Sequence, residues 1–144
     1  MDEAGGTPRF DPLRDYPLGE RRPDLVRTAT GLALGELTLD GLRDGAFAAE
    51  ELRATPQTMR LQAQVARAAG REPLAANLER AAELAGVAGE TILSIYTALR
   101  PHRSDAAELE AWAVRLESEL DAPLNAAFVR EAAAQHGRRG LLRR

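Results

Sequence analysis

An all-α fold follows from three features of the 144-residue chain. In its second half, apolar residues recur at spacings of three and four, the period of one helix face. Each of these runs is bracketed by capping or breaking residues where a helix needs them. Aromatic residues make up only 4% of the chain, so the interior must be built from Leu and Ala with a few Val and Ile. Helices of that composition pack closely but bury little area each. The predicted architecture is a small helical bundle of about five main helices, preceded by an extended N-terminal arm and short helical turns.

The arm is residues 1–22. Gly5, Gly6, Pro8, Pro12, Pro17 and Gly19 interrupt it without a sustained period, as in extended backbone. Phe10, Leu13, Tyr16 and Leu18 are too apolar for a solvating tail, so the arm is expected to lie across a neighbouring surface. A single helical domain then occupies residues 23–137. Pro23 opens a short helix over 24–30, with proline at the first helical position where its missing N–H does no harm, and Gly31 ends it. Over 32–53, Gly35, Gly41 and Gly45 separate Leu34, Leu37, Leu39, Leu42 and Phe47. Short turns are expected there, starting near Thr38 and Ala48. A strand over 36–39 would need a partner, and none is visible in the sequence.

The main helices are better marked. Thr55-Pro56 supplies an N-cap and a proline at N1 for a helix over 56–69, which Gly70 stops. The next, over 72–85, aligns Leu74, Leu78, Ala81, Ala82 and Ala85, and Gly86 and Gly89 bracket its exit. A third, over 90–99, carries Ile92, Ile95, Tyr96 and Leu99 on one face before Pro101 forbids continuation. Ser104 or Asp105 caps the fourth, with Glu108 near its positive end, and Leu109, Trp112, Ala113, Leu116 and Leu120 form its apolar stripe. The fifth, over 123–135, is expected to bury Leu124, Ala127, Phe128 and Ala132 and to give out at Gly137. Arg138, Arg139, Arg143 and Arg144 make residues 138–144 a basic tail, either solvated or set against an acidic partner surface. Short connections favour antiparallel neighbours.

Composition narrows the function classes. With no cysteine, disulfide scaffolds, thiol chemistry and cysteine-ligated metal sites fall away. No apolar run approaches the roughly 20 residues of a membrane helix, and the first residues are acidic and Gly-containing, so a cytoplasmic location without membrane contact is expected. A net charge of -3 gives no general reason to expect nucleic acid as a partner. All 19 Lys+Arg residues are arginine. Codon usage in a GC-rich genome accounts for that, and so does a need for arginine at protein contacts, where its planar fork pairs with carboxylates.

Catalytic groups are sparse. His102 and His136 stand apart from one another and from carboxylates at metal-binding spacing. Glu79 and Glu83, like Glu117 and Asp121, read as solvated helix faces, and neither Ser94 nor Ser104 has a base at a recognisable spacing. The early glycines follow no phosphate-binding pattern. Arg60, Arg67 and Arg71 give one loose basic side without interleaved aromatics, which keeps a free-standing helical or nucleic-acid-regulatory module as the alternative.

Several segments in order carry a family resemblance: Asp15-Tyr16-Pro17-Leu18, Thr28-Ala29-Thr30, Thr55-Pro56-Gln57-Thr58-Met59-Arg60-Leu61-Gln62-Ala63 and Ala69-Gly70-Arg71. They continue in Leu74-Ala75-Ala76-Asn77-Leu78-Glu79-Arg80, Ile95-Tyr96-Thr97-Ala98-Leu99-Arg100-Pro101-His102-Arg103-Ser104 and Ala127-Phe128-Val129-Arg130-Glu131. Over residues 15–135 the chain resembles the small (gamma) subunit of adenosylcobalamin-dependent propanediol and glycerol dehydratases. The resemblance implies a lyase assembled from large (alpha), medium (beta) and small subunits, two copies of each. In that assembly adenosylcobalamin and a metal ion are bound by the partner subunits, and diols or glycerol become aldehydes by radical dehydration. For this chain it implies no catalytic, cofactor-binding or metal residues of its own, no activity alone, and no nucleic-acid partner. The expected subunit contacts are Tyr16, Pro17, Leu18, Arg60, Arg100 and Arg103, with Arg100 alternatively capping its own helix and Tyr96 filling the core. Some members carry a longer N-terminal amphipathic extension linked to microcompartment packaging. Residues 1–14 are too short and broken for that helix, so microcompartment association is expected only through partner subunits.

Overall fold

The computed structural model describes residues 9–143, which leaves most of the first 14 residues, and Arg144, outside the description. Seven α-helices occur among the described residues: α1 (Leu18–Arg21), α2 (Leu39–Arg43), α3 (Pro56–Ala68), α4 (Glu72–Leu84), α5 (Gly89–Ala98), α6 (Ala106–Ser118) and α7 (Pro123–Arg139). Three 3-10 turns, Pro23–Leu25, Leu34–Glu36 and Ala49–Leu52, complete the set. The all-α class holds, with α3 to α7 as the main helices. The chain divides into two compact units, Met1–Ala76 and Asn77–Arg144, the boundary falling inside α4.

In the first unit, part of the expected arm is folded. α1 replaces extended backbone at 18–21, and Asp15 and Arg22 are buried on either side of it. Their side chains pair at 3.1 Å, and the pair is extended by Arg14 to Asp15 and by Arg22 to Asp24, each at 2.9 Å. A buried arginine is tolerable only with such partners, and here two carboxylates supply them. The helix expected over 24–30 shrinks to the 3-10 turn at Pro23–Leu25. Beyond it Arg27 pairs with Ala33 in an isolated antiparallel bridge, and Gly31, at φ 95, turns the chain between them. The hydroxyl of Thr28 accepts from the Leu32 N–H at 3.1 Å, so this turn satisfies its own donors without a helix. Residues 36–39 form no strand; they join a 3-10 turn to α2, whose N-cap Thr38 accepts from the Gly41 N–H at 3.0 Å. Thr55 caps α3 as its sequence predicts, accepting from the Thr58 N–H at 3.2 Å.

The second unit holds an apolar cluster in which Ile95, Leu109, Ala113, Leu116, Ala122, Ala126 and Val129 are buried. α6 and α7 form its tightest pair, folded back on each other through the short connection 119–122. Fully buried alanines at 113, 122 and 126 let the two backbones approach closely. Asp105 caps α6 in a reciprocal capping box: it accepts from the Glu108 N–H, and the Glu108 carboxylate accepts from the Asp105 N–H, both at 2.9 Å.

Two expectations about α7 are corrected. The helix does not stop at Gly137 but runs to Arg139 and ends at Gly140 in the left-handed conformation, φ 65. Its buried face is Asn125, Ala126 and Val129, so Leu124, Ala127 and Phe128 face outward. That is a rotation of one residue, about 100°. In α4 likewise Ala75 and Ala82 are buried while Leu74 is exposed.

Candidate subunit-interface site

The six contact residues expected from sequence fall in both units. In the first, Tyr16 is 53% exposed, Pro17 is half-buried, and Arg60 stands exposed on α3. Leu18 is a correction, because it is 2% exposed and therefore belongs to this chain's own packing. In the second unit, Arg100 and Arg103 are both exposed in the turn that leaves α5.

That turn is held from the C-terminal end. The His102 N–H donates to the Leu141 carbonyl at 2.7 Å, and the Arg143 N–H donates to the Ser104 carbonyl at 2.9 Å. The Arg143 guanidinium reaches Glu108 at 2.6 Å and Asp105 at 3.4 Å. These carboxylates raise the Arg143 pKa, the Glu108 hydrogen bond most of all; Asp105 is lowered, chiefly by the Glu108 backbone N–H and further by Arg143. Arg143, expected in a solvated tail or against a partner, is thus satisfied by its own chain. Between Arg100 and Arg103, His102 has a positive φ of 61, an uncommon conformation for a side-chain-bearing residue. Arg100 and Arg103 therefore project from a fixed turn.

Several contacts had little signal in the sequence. Glu83, expected on a solvated face, caps α7: its carboxylate accepts from the Leu124 and Asn125 backbone N–H groups, each at 2.9 Å, and from the Asn125 amide at 2.7 Å. The same amide donates to the Arg80 carbonyl at 2.9 Å, which ties the end of α4 to the start of α7. Arg130 on α7 bridges Glu110 and Glu117 of α6, each at 3.0 Å. Partners 13 to 45 residues apart leave no periodic trace.

α5 does have a readable signal. Its ten residues include Ile92, Leu93, Ile95 and Tyr96, leaving no continuous polar side. Ile95 goes inward, whereas Leu93 is 67% and Tyr96 62% exposed, so Tyr96 does not fill the core. A groove of about 260 Å³ runs beside Tyr96, with Ile92, Leu99, Val129 and Phe128 among its walls. Arg80 lies over the Phe128 ring, 4.9 Å from its centre.

The basic side considered for nucleic acid is broken, because the Arg67 guanidinium is engaged by Glu72 at 3.0 Å. No helix of the described residues is long and apolar enough to cross a membrane.

Comparison with known proteins gives the family. The family model for the dehydratase small subunit matches residues 12–143. The propanediol dehydratase small subunit of Salmonella typhimurium is 48% identical over 140 residues, covering 97% of this chain and 81% of that protein. The propanediol dehydratase small subunit of Citrobacter freundii is 49% identical over 131 residues, covering 91% of this chain and 76% of that one. Identity this high over nearly the whole chain, together with the family match, establishes that the chain belongs to the dehydratase small-subunit family.

Proposed function

We propose that this chain is the non-catalytic small subunit of an adenosylcobalamin-dependent dehydratase that converts 1,2-diols or glycerol to aldehydes, and that it packs on and stabilises a large catalytic subunit. The similarity to two propanediol dehydratase small subunits carries this reading. Two copies each of large, medium and small subunits make up the assembly, in the cytoplasm, with any microcompartment association supplied by the partners. Tyr16, Pro17, Arg60, Arg100 and Arg103 are the contact residues on this chain.

Coenzyme and metal ion belong to the partner subunits in this reading. Among the described residues no group of three or more His, Cys, Asp or Glu side chains is placed to hold a metal. The carboxylates that do cluster, Asp105 with Glu108 and Glu110 with Glu117, are engaged by Arg143 and Arg130.

Co-expression with the two larger subunits tests the function. The expected result is one complex containing all three chains, with aldehyde formation from 1,2-propanediol or glycerol that requires adenosylcobalamin. Larger chains that are equally soluble and active without this one, or a small chain that elutes alone and shifts labelled DNA, would overturn it.

A further inference from the structure

The outer side of α5 combines three properties. Leu93 and Tyr96, about one turn apart, are both more than half exposed, and Phe128 and Leu124 at the start of α7 are also exposed. A hollow lies on each side of this ridge: the groove of about 260 Å³ that Tyr96 shares with Phe128, and a second of about 400 Å³ lined by Leu93, Thr97 and Arg103. Neither is lined by a carboxylate among the described residues, although the chain as a whole has 22 Asp+Glu against 19 Lys+Arg.

The second property is unspent positive charge. Arg14, Arg22, Arg67, Arg115, Arg130 and Arg143 are all paired with carboxylates of this chain. Arg100 and Arg103 have no such pairing among the described residues. They stand where the apolar ridge ends. The third property is the rigidity of their turn, with His102 at positive φ and two backbone hydrogen bonds to 141–143. An arginine offered from a fixed backbone loses less freedom on binding than one on a mobile loop.

We propose that this ridge is the chain's docking surface in its assembly, and that its occupant is an amphipathic segment of a partner subunit: apolar toward Leu93, Tyr96 and Phe128, with carboxylates opposite Arg100 and Arg103. The occupant follows from charge complementarity, since an apolar surface whose hollows carry no carboxylate and whose C-terminal edge offers Arg100 and Arg103 favours an apolar segment with anions at that edge. A second copy of this chain is the competing occupant. The proposal rests on the small-subunit reading and adds to it the face used and the chemistry of the surface received.

The test uses the three-chain complex. Tyr96 is replaced by the photo-crosslinking residue p-benzoylphenylalanine, the complex is irradiated, and the joined peptide is identified by mass spectrometry. In parallel, Leu93→Asp and the double variant Arg100→Glu/Arg103→Glu are compared with Arg53→Glu, an exposed arginine elsewhere, for association at 0.15 M salt. All of these side chains are exposed, so far-UV circular dichroism of the variants should match wild type. Expected are a cross-link to a partner-subunit peptide that carries Asp or Glu beside apolar residues, and association weakened on the order of 30-fold or more by the double reversal, with Arg53→Glu unchanged. Cross-links to a second copy of this chain, cross-links to a peptide without carboxylates, or reversal variants that assemble like wild type would overturn the proposal while leaving the small-subunit reading intact. A wild-type chain that joins no complex removes that reading and the docking surface with it.

Discussion

Replacing Glu83 by alanine removes the acceptor for two backbone N–H groups at the start of α7 and for the Asn125 amide. Loss of a helix cap costs 0.5–2 kcal/mol, and loss of a negative charge at the positive end of a helix a further few tenths, so about 1–2 kcal/mol is expected. The estimate stays modest because Glu83 is only half-buried and water can replace part of what it gave. Urea unfolding followed by Trp112 fluorescence is the suitable assay: the chain has 1 Trp, and it packs against the second unit's core. With a slope of roughly 2 kcal/mol per molar urea, the midpoint should fall by about 0.5–1 M. Glu131→Ala, on an exposed position of the same helix, should move it by no more than about a quarter of a molar. Asn125→Ala should also destabilise, and the double variant should cost less than the two singles added, because both remove the same hydrogen bond. Equal midpoints for Glu83→Ala and Glu131→Ala, or strict additivity in the cycle, would refute the cap.

Leu116→Ala should cost about 3–5 kcal/mol by the same measurement, because Leu116 is fully buried and its helix carries a neighbouring core alanine that cannot grow into the space; Leu93→Ala, on the exposed ridge, should cost under about 0.5 kcal/mol. Thr55→Ala should destabilise by about 1 kcal/mol through loss of the α3 cap, with Thr55→Ser restoring most of it. Stability should fall on acidification below about pH 4: Asp15 is held well below the usual carboxylate range, first by the Arg14 side chain and then by the Asp11 backbone N–H, and Asp24 is lowered by Arg22. A carboxyl group with a lowered folded pKa contributes fully above its unfolded pKa and loses that contribution as pH falls toward the folded value. Asp15→Asn should therefore be less stable than wild type at pH 7, by a difference that starts to narrow only below about pH 4 and is still shrinking at about pH 2, whereas a difference that stays constant from about pH 7 to pH 2 would contradict the ion-pair account.

The helices could be read from sequence because their signals are local. Thr55-Pro56, Gly70, Pro101 and Asp105 each act within one turn of themselves, and each marks a boundary within a residue or two of where it lies. Facing was harder to read. In α7, Leu124 and Phe128 attract a hydrophobicity count, yet Asn125 is turned inward because its amide has partners in the Arg80 carbonyl and the Glu83 carboxylate. A buried polar side chain with distant partners looks like a surface residue in a one-dimensional pattern. Gly137 misled for a different reason: a helix tolerates one glycine at a cost of about 1 kcal/mol, and the stop came at Gly140, where a positive φ is required. At the candidate site, Arg100 and Arg103 were legible as a cationic helix exit, but exposure of Leu93 and Tyr96 was not, since an apolar residue in a helix reads as core unless its neighbours are known.

The clasp between residues 141–143 and the turn at 102–104 also orders events in time. Synthesis delivers α5 and its exit turn some 40 residues before the groups that fasten it, as the 40-residue separation of Arg103 and Arg143 shows. While the ribosome is still making α6 and α7, Arg100 and Arg103 hang from an unfastened turn. The exit turn takes its final shape only when Arg143 has emerged, so a chain cut before residue 141 should keep its helices yet hold Arg100 and Arg103 less firmly.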